Sequence, residues 1–118
     1  MNLDSAIFYS NDIEKVIPFY QDTLGFVFQY RTERFVSFIF PNGGKLGIKN
    51  KTEDREVPGY QTVFIEVTEI ERVYQDIRDK GIQFHKDIEE RPWGIEFSIL
   101  DPDGNKVLYI KHADVQVA

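Results

Sequence analysis

No cysteine occurs among the 118 residues, which excludes disulfides, thiolate metal sites and a cysteine nucleophile, and fits a reducing compartment. Basic side chains are scarce: 14 Lys plus Arg stand against 20 Asp plus Glu, a formal charge of −6. Nucleic acids and anionic membranes are bound through accumulated Lys and Arg, so neither is expected as a partner. The longest apolar run, residues 35–40, is broken by Ser37 and falls far below the ~18 residues of a membrane span. Residues 1–10 carry Asp4 and no basic segment leading into an apolar stretch, so no secretory signal is read. Gly43-Gly44-Lys45 lies in a hairpin turn, without the strand-to-helix setting a phosphate cradle requires. Ser5, Ser10, Ser37 and Ser98 have no convincing His-plus-carboxylate arrangement around them. The expectation is a soluble, cytoplasmic single domain. At 42% hydrophobic residues, with ten Phe and six Tyr, it has enough apolar bulk for a core without staples.

The sequence also nearly repeats itself. Asn11-Asp12-Ile13-Glu14-Lys15-Val16 lies over Thr68-Glu69-Ile70-Glu71-Arg72-Val73, and each run continues to a glycine, Gly25 or Gly81. Pro41-Asn42-Gly43-Gly44-Lys45-Leu46 lies over Pro102-Asp103-Gly104-Asn105-Lys106-Val107. Each repeat reads strand, helix, then three strands. Asn11-x-x-Glu14 and Thr68-x-x-Glu71 predict capping boxes. Ile13, Val16, Ile17, Tyr20 and Leu24, and then Ile70, Val73, Tyr74 and Ile77, give each helix one apolar stripe. Pro18 interrupts the first helix and predicts a kink. Strands are expected at 6–9, 26–30, 35–40, 45–49, 63–67, 82–85, 95–100 and 106–111, with Gly- and Asn-containing turns closing antiparallel hairpins. The charged segment around Lys51, Glu53, Asp54, Arg55 and Glu56, ending at Pro58-Gly59, reads as a linker. The fold class is therefore α+β, with two βαβββ modules in tandem: module 1 about 1–50, linker about 51–59, module 2 about 60–112.

Phe19-Tyr20-Gln21-Asp22-Thr23-Leu24-Gly25-Phe26, the later Trp93-Gly94 and the run Phe97-Ser98-Ile99-Leu100-Asp101-Pro102-Asp103-Gly104-Asn105 carry a resemblance over essentially the whole chain. The chain resembles the vicinal-oxygen-chelate superfamily, which includes glyoxalase I, extradiol dioxygenases, and fosfomycin- and bleomycin-resistance proteins. The resemblance implies curved sheets wrapped around a cleft and a homodimer whose subunits complete each cleft. It also implies, in metal-dependent members, a His or Gln on the first strand of each module and a Glu on the last. Those positions fall at Ser5, Thr62, Gly47 and Leu108. None is an adequate donor for a divalent transition metal, which needs imidazole or carboxylate.

Strand alternation puts Ser5, Ile7 and Tyr9 on the cleft face of the first strand, and Thr62, Phe64 and Glu66 on that of the fifth. A Phe40 to Lys45 closing pair would place Phe38 opposite Gly47, where the missing side chain leaves room. Trp93, after Arg91-Pro92 and before Gly94, is expected to overhang the cleft. The candidate ligand-binding set is Ser5, Tyr9, Phe38, Gly47, Thr62, Phe64, Glu66, Trp93 and Leu108, with no catalytic residue, metal ligand or cofactor assigned. His85 and His112 read as strand-end histidines, and Glu89-Glu90 and Glu53-Asp54 as solvated surface.

Three functions stay open at this point. One is metal-independent sequestration of a small molecule, closest to the bleomycin-resistance branch, with resistance to an antibiotic or toxic compound as its role. Negative charge and an aromatic cleft would suit a cationic, partly planar ligand. The alternative is a lyase, isomerase or dioxygenase-type metalloenzyme using displaced ligands such as Glu66, Glu96, His85 or His112. The third is a ligand-sensing or protein-interaction module.

Overall fold

The computed structural model describes residues 1–114. The chain forms two compact units, one of residues 1–61 with Asp101–Asn105, the other of Thr62–Leu100 and the chain from Lys106 on. Each contains the predicted βαβββ order. The first holds β1 (Ala6–Ser10), α1 (Ile13–Pro18), a π-helical turn (Phe19–Thr23), β2 (Val27–Arg31), β3 (Phe35–Ile39) and β4 (Lys45–Asn50). The second holds β5 (Thr62–Glu66), α2 (Ile70–Asp79), β6 (Phe84–Arg91), β7 (Gly94–Leu100) and β8 (Lys106–His112). No helix of the described residues is long and apolar enough to cross a membrane.

The capping pattern is one residue out in both units. Asp12, not Asn11, caps α1, its carboxylate accepting from the Glu14 amide at 3.0 Å. Asn11 is diverted because its backbone and side-chain N–H groups both donate to Asp103 Oδ1. Glu14 turns outward to Arg31 instead of closing a box. α2 starts behind Glu69 with no side-chain cap. The expected kink at Pro18 is a change of helix type. Proline has no N–H to donate, the α-helix ends there, and the following turn bonds in the wider register, with Leu24 N donating to Phe19 O at 2.9 Å. Gly25, at φ 74°, then ends the helical segment in the left-handed region, as Gly81 does after α2 at φ 70°.

In the first unit the sheet order is β1-β4-β3-β2, with β1 and β4 parallel. Phe8, Val36, Phe38, Leu46 and Ile48 meet Ile13, Val16 and Tyr20 on the helix side, all at most 1% exposed. Each such side chain contributes roughly 1.5–3 kcal/mol of burial free energy. The turn Asp101–Asn105 packs into this core. Tyr20 donates its hydroxyl to Asp101 Oδ2 at 2.6 Å, and Ser10 donates to Asp103 Oδ2 at 2.6 Å. Asn105, fully buried, donates to the Tyr9 carbonyl and accepts from the Gly59 amide. The linker is ordered too. Glu56 folds back to accept from Lys49 Nζ at 2.7 Å and from the Thr52 and Glu53 amides.

The second sheet runs β5-β8-β7-β6. Ile70 and Ile77 of α2 cover its helix side, where Phe97, Ile99, Val107 and Tyr109 are buried. Its edge strand β6 extends to Arg91, past the predicted end at residue 85, and two register shifts bend it against β7.

Candidate functional site

The face of the second sheet opposite α2 carries the candidate residues Thr62, Phe64, Glu66 and Leu108. Phe64, Leu108, Ser98 and Lys86 form one cross-strand row, and Glu66, Ile110, Glu96 and Glu89 form the next. Thr62 pairs with Lys106, which extends the same face. Alternation along β5 therefore places Thr62, Phe64 and Glu66 together as expected, with Phe64 63% exposed, and Leu108 joins them from β8 opposite Phe64.

Trp93 sits at the tight turn that joins Arg91 to Gly94. Its indole N–H donates to Glu96 Oε2 at 3.1 Å, which fixes the ring, and half of the side chain stays exposed. The Arg91 guanidinium stands 5.9 Å from the ring centroid, so part of the cation–π capacity expected for a ligand is used within the chain. Beside this turn lies a cavity of about 170 Å³, with Lys86, Arg91, Glu96, Ser98, Lys106 and Leu108 in its wall.

In the first unit the open face is filled differently. Ile7, Gly47, Ser37 and Tyr30 form a row, and Tyr9, Lys49 and Phe35 form another. Tyr9 and Gly47 lie on the expected face. Ser5 precedes β1 and donates to Asp4. Phe38 is a correction: it pairs with Leu46 rather than Gly47, and it packs 5.7 Å from Tyr20 and 6.3 Å from Phe26 in the helix-side core. The hairpin closes at Ile39 and Lys45, one residue earlier than assumed, and a one-residue slip sends every side chain to the other face. The room expected beside Gly47 is also taken. A Cβ there would lie 2.5 Å from Phe35 Cζ and 2.7 Å from Ile7 Cδ1. Lys49 on this face is bound by Glu56, whose carboxyl is pulled down to about 2 chiefly by the Lys49 ammonium, with help from the Thr52 amide.

The metal implied by the resemblance does not fit these residues. Hydroxyls at Ser5 and Thr62, an apolar Leu108 and a Gly47 roofed by Phe35 and Ile7 supply no imidazole or carboxylate. The displaced donors do not converge either. His112 Nε2 lies 3.5 Å from Glu66 Oε2, whereas His85 Nδ1 is 3.2 Å from Ser98 Oγ and Glu96 is engaged by Trp93 and Arg91. Among the described residues no group of three or more His, Asp or Glu is placed to hold a metal ion. His85, read as a solvated strand end, is exposed at the start of β6 and in addition contacts Ser98.

Sequence reasoning missed Lys86, Glu89 and Arg91 because β6 is an edge strand with mostly exposed, charged residues. Lys106 was within reach, since it lies two residues along a strand from Leu108, already in the candidate set, and Ser98 lies two residues from Glu96, named only as a possible displaced ligand.

Residues 2–109 match the model of the Glyoxalase/Bleomycin resistance protein/Dioxygenase superfamily. No curated protein matches the chain in sequence. Among solved structures, TnmS3, an antibiotic binding protein from Streptomyces sp. CB03234, is similar with a TM-score of 0.86 at 18% identity, covering 96% of this chain and 97% of its own. A superfamily member from Sphaerobacter thermophilus DSM 20745 is similar with a TM-score of 0.83 at 26% identity, covering 95% and 98%. The oxidase ChaP-H2 is similar with a TM-score of 0.77 at 20% identity, covering 96% and 94%.

Proposed function

The chain belongs to the glyoxalase/bleomycin resistance protein/dioxygenase superfamily, and on that premise we propose that it binds a small, partly planar molecule without a metal and holds it rather than turning it over. The observation that carries this reading is the pairing of two features. The positions that would hold a metal are Ser5, Gly47, Thr62 and Leu108, and the open face of the second sheet presents Phe64 and an anchored, half-exposed Trp93. Aromatic faces of this kind gain free energy by stacking and need no catalytic group. Glu66, with its side chain 73% exposed beside Phe64, gives a cationic substituent a counter-charge at that edge. The similarity to an antibiotic binding protein supports sequestration of an antibiotic or toxic compound as the role, and a chain without cysteine suits a cytoplasmic setting. We take the working unit to be a homodimer, because the edge strand β2 leaves Val27, Phe28 and Tyr30 exposed by 61%, 40% and 50%.

The alternative is a metalloenzyme built on Glu66, Glu96, His85 or His112. Elemental analysis of protein purified without chelator separates the two, together with melting in the presence of Zn, Ni, Mn or Fe. A native-state ligand at 100 times its Kd adds about 2.7 kcal/mol, so real ligation is easily seen. No stoichiometric metal and no saturable rise in Tm are expected. A bound metal whose stabilisation is abolished by Glu66→Gln would replace this reading with the enzymatic one.

A further inference from the structure

We infer that the cavity on the open face of the second sheet seats an anionic oxygen group, a carboxylate or a phosphate, at one end of the ligand. The inference rests on reading this face as the ligand face, and it opposes the cationic preference that the net charge of −6 suggests for the whole chain. What decides it is which charged groups of the cavity already have a partner. Three carboxylates and three cations line it. Every carboxylate already has a partner. Glu89 Oε2 is 3.0 Å from Arg91 Nη2, and Glu96 accepts from the Trp93 indole while facing Arg91 Nε at 3.7 Å. Asp87 accepts from the Tyr74 hydroxyl and the Ile88 amide, and its carboxyl is held below the usual range, first by Tyr74.

Lys86 and Lys106 have no such partner among the described residues, although both line the same wall. They flank Ser98, since Lys86 is opposite it in register and Lys106 lies two residues from its other neighbour, Leu108. The formal charges of the wall balance, three against three, but the charged groups left without a partner are both cations, so an anion meets two ammonium groups without displacing an internal ion pair. Hydrogen bonding adds to this. His85 Nδ1 lies 3.2 Å from Ser98 Oγ, so when that nitrogen carries its proton it donates to Ser98 and frees the hydroxyl hydrogen for an acceptor in the cavity. The Arg91 Nε–H is buried without a hydrogen bond, the Glu96 carboxylate standing off at 3.7 Å.

Size sets the limit on what enters. A volume of about 170 Å³ is below the roughly 300–1,000 Å³ of pockets that enclose a whole ligand. It takes one end of a molecule whose planar remainder can lie over Leu108 and Phe64, which continue the row from Ser98.

The test is titration of the ¹⁵N-labelled protein at low salt with benzoate, phenyl phosphate and benzylamine. The backbone amides of Ser98, Lys106 and Leu108 are followed. Benzoate or phenyl phosphate is expected to shift these amides saturably, and whichever binds tighter identifies the anion as carboxylate or phosphate. Benzylamine is expected to leave them in place. Replacing both lysines, Lys86→Gln with Lys106→Gln, should weaken the anion by about tenfold or more, the scale of a lost hydrogen bond to a charged group. Equal shifts from benzylamine, anion shifts that do not saturate, or undiminished affinity in the double variant would overturn the inference. The preference for anion over amine in the unsubstituted protein is a readout that does not depend on the variant folding. Failure here, with Trp93 emission still responding to aromatic ligands, would remove the anion seat and leave the sequestration reading standing.

Discussion

Removing one oxygen atom from the core, by Tyr20→Phe, tests the account of how the first unit is held together. The ring keeps its place 5.5 Å from Phe26 and 5.7 Å from Phe38, so little packing is lost. What disappears is the 2.6 Å hydrogen bond to Asp101 Oδ2, between a fully buried tyrosine and a carboxylate only 6% exposed. The other oxygen keeps its donors, the Asp103 and Asn105 amides, but Oδ2 is left with Asn105 Nδ2 at 3.5 Å. A hydrogen bond to a charged group contributes about 1.5–3 kcal/mol, and that is the expected loss at neutral pH. The pH dependence carries a sign. Burial pushes the Asp101 carboxyl above its ordinary value, and the Tyr20 hydroxyl opposes that push. A carboxyl raised in the folded state contributes most below the ordinary carboxylate range, and its contribution falls as pH rises through the folded value. Losing the hydroxyl raises Asp101 further. The variant should therefore be most impaired at neutral pH and progressively less so as Asp101 takes up its proton. Urea unfolding followed by circular dichroism at about pH 7 and about pH 4 measures both quantities. A loss under about 0.5 kcal/mol at neutral pH, or one that grows on acidification, would refute the reasoning.

Other substitutions probe the remaining arguments. Gly47→Glu, which restores a carboxylate where metal-dependent relatives are expected to carry one, should destabilise by about 1–3 kcal/mol in urea, because Phe35 and Ile7 must move, and should create no metal-dependent rise in Tm. Asn105→Ala removes the donor to the Tyr9 carbonyl and the acceptor for the Gly59 amide, and should cost about 2–4 kcal/mol by the same assay. Glu56→Gln tests the linker. Its carboxyl is depressed from 4.5 to about 2, so its contribution is present above 4.5 and lost as pH falls through about 2. The variant should show a shallower loss of stability over that acid window, read as Tm against pH.

Most of the fold was legible because the sequence states it twice. The two glycine-terminated helices and the paired turns gave the βαβββ order, and period-two alternation on β5 placed Thr62, Phe64 and Glu66 correctly. What escaped depended on single residues. A hairpin closing at Ile39 instead of Phe40 moved Phe38 from the open face to the core, a difference that alternation alone does not settle in a run apolar on both sides. β6 was cut short because Phe84–Arg91 is nearly all polar, and with it went Lys86, Glu89 and Arg91. The cap of α1 moved because Asn11 is claimed by Asp103, far away in sequence. Asp101 and Glu56 read as turn and linker residues, yet each accepts several hydrogen bonds, which local composition does not reveal.

The central claim is that the open face of the second sheet binds a planar molecule with no metal, and the emission of Trp93, the only tryptophan, reports on that face directly. Titration in the presence of chelator with cationic, anionic and neutral aromatics should change this emission saturably for at least one class. In the same titration Trp93→Phe, which keeps a ring but loses the bond to Glu96, cannot serve as reporter, so Trp93→Ala is compared by calorimetry and should bind about 1–3 kcal/mol more weakly. Emission that stays unchanged across the whole panel, or that changes only after a divalent metal is added, would contradict the account.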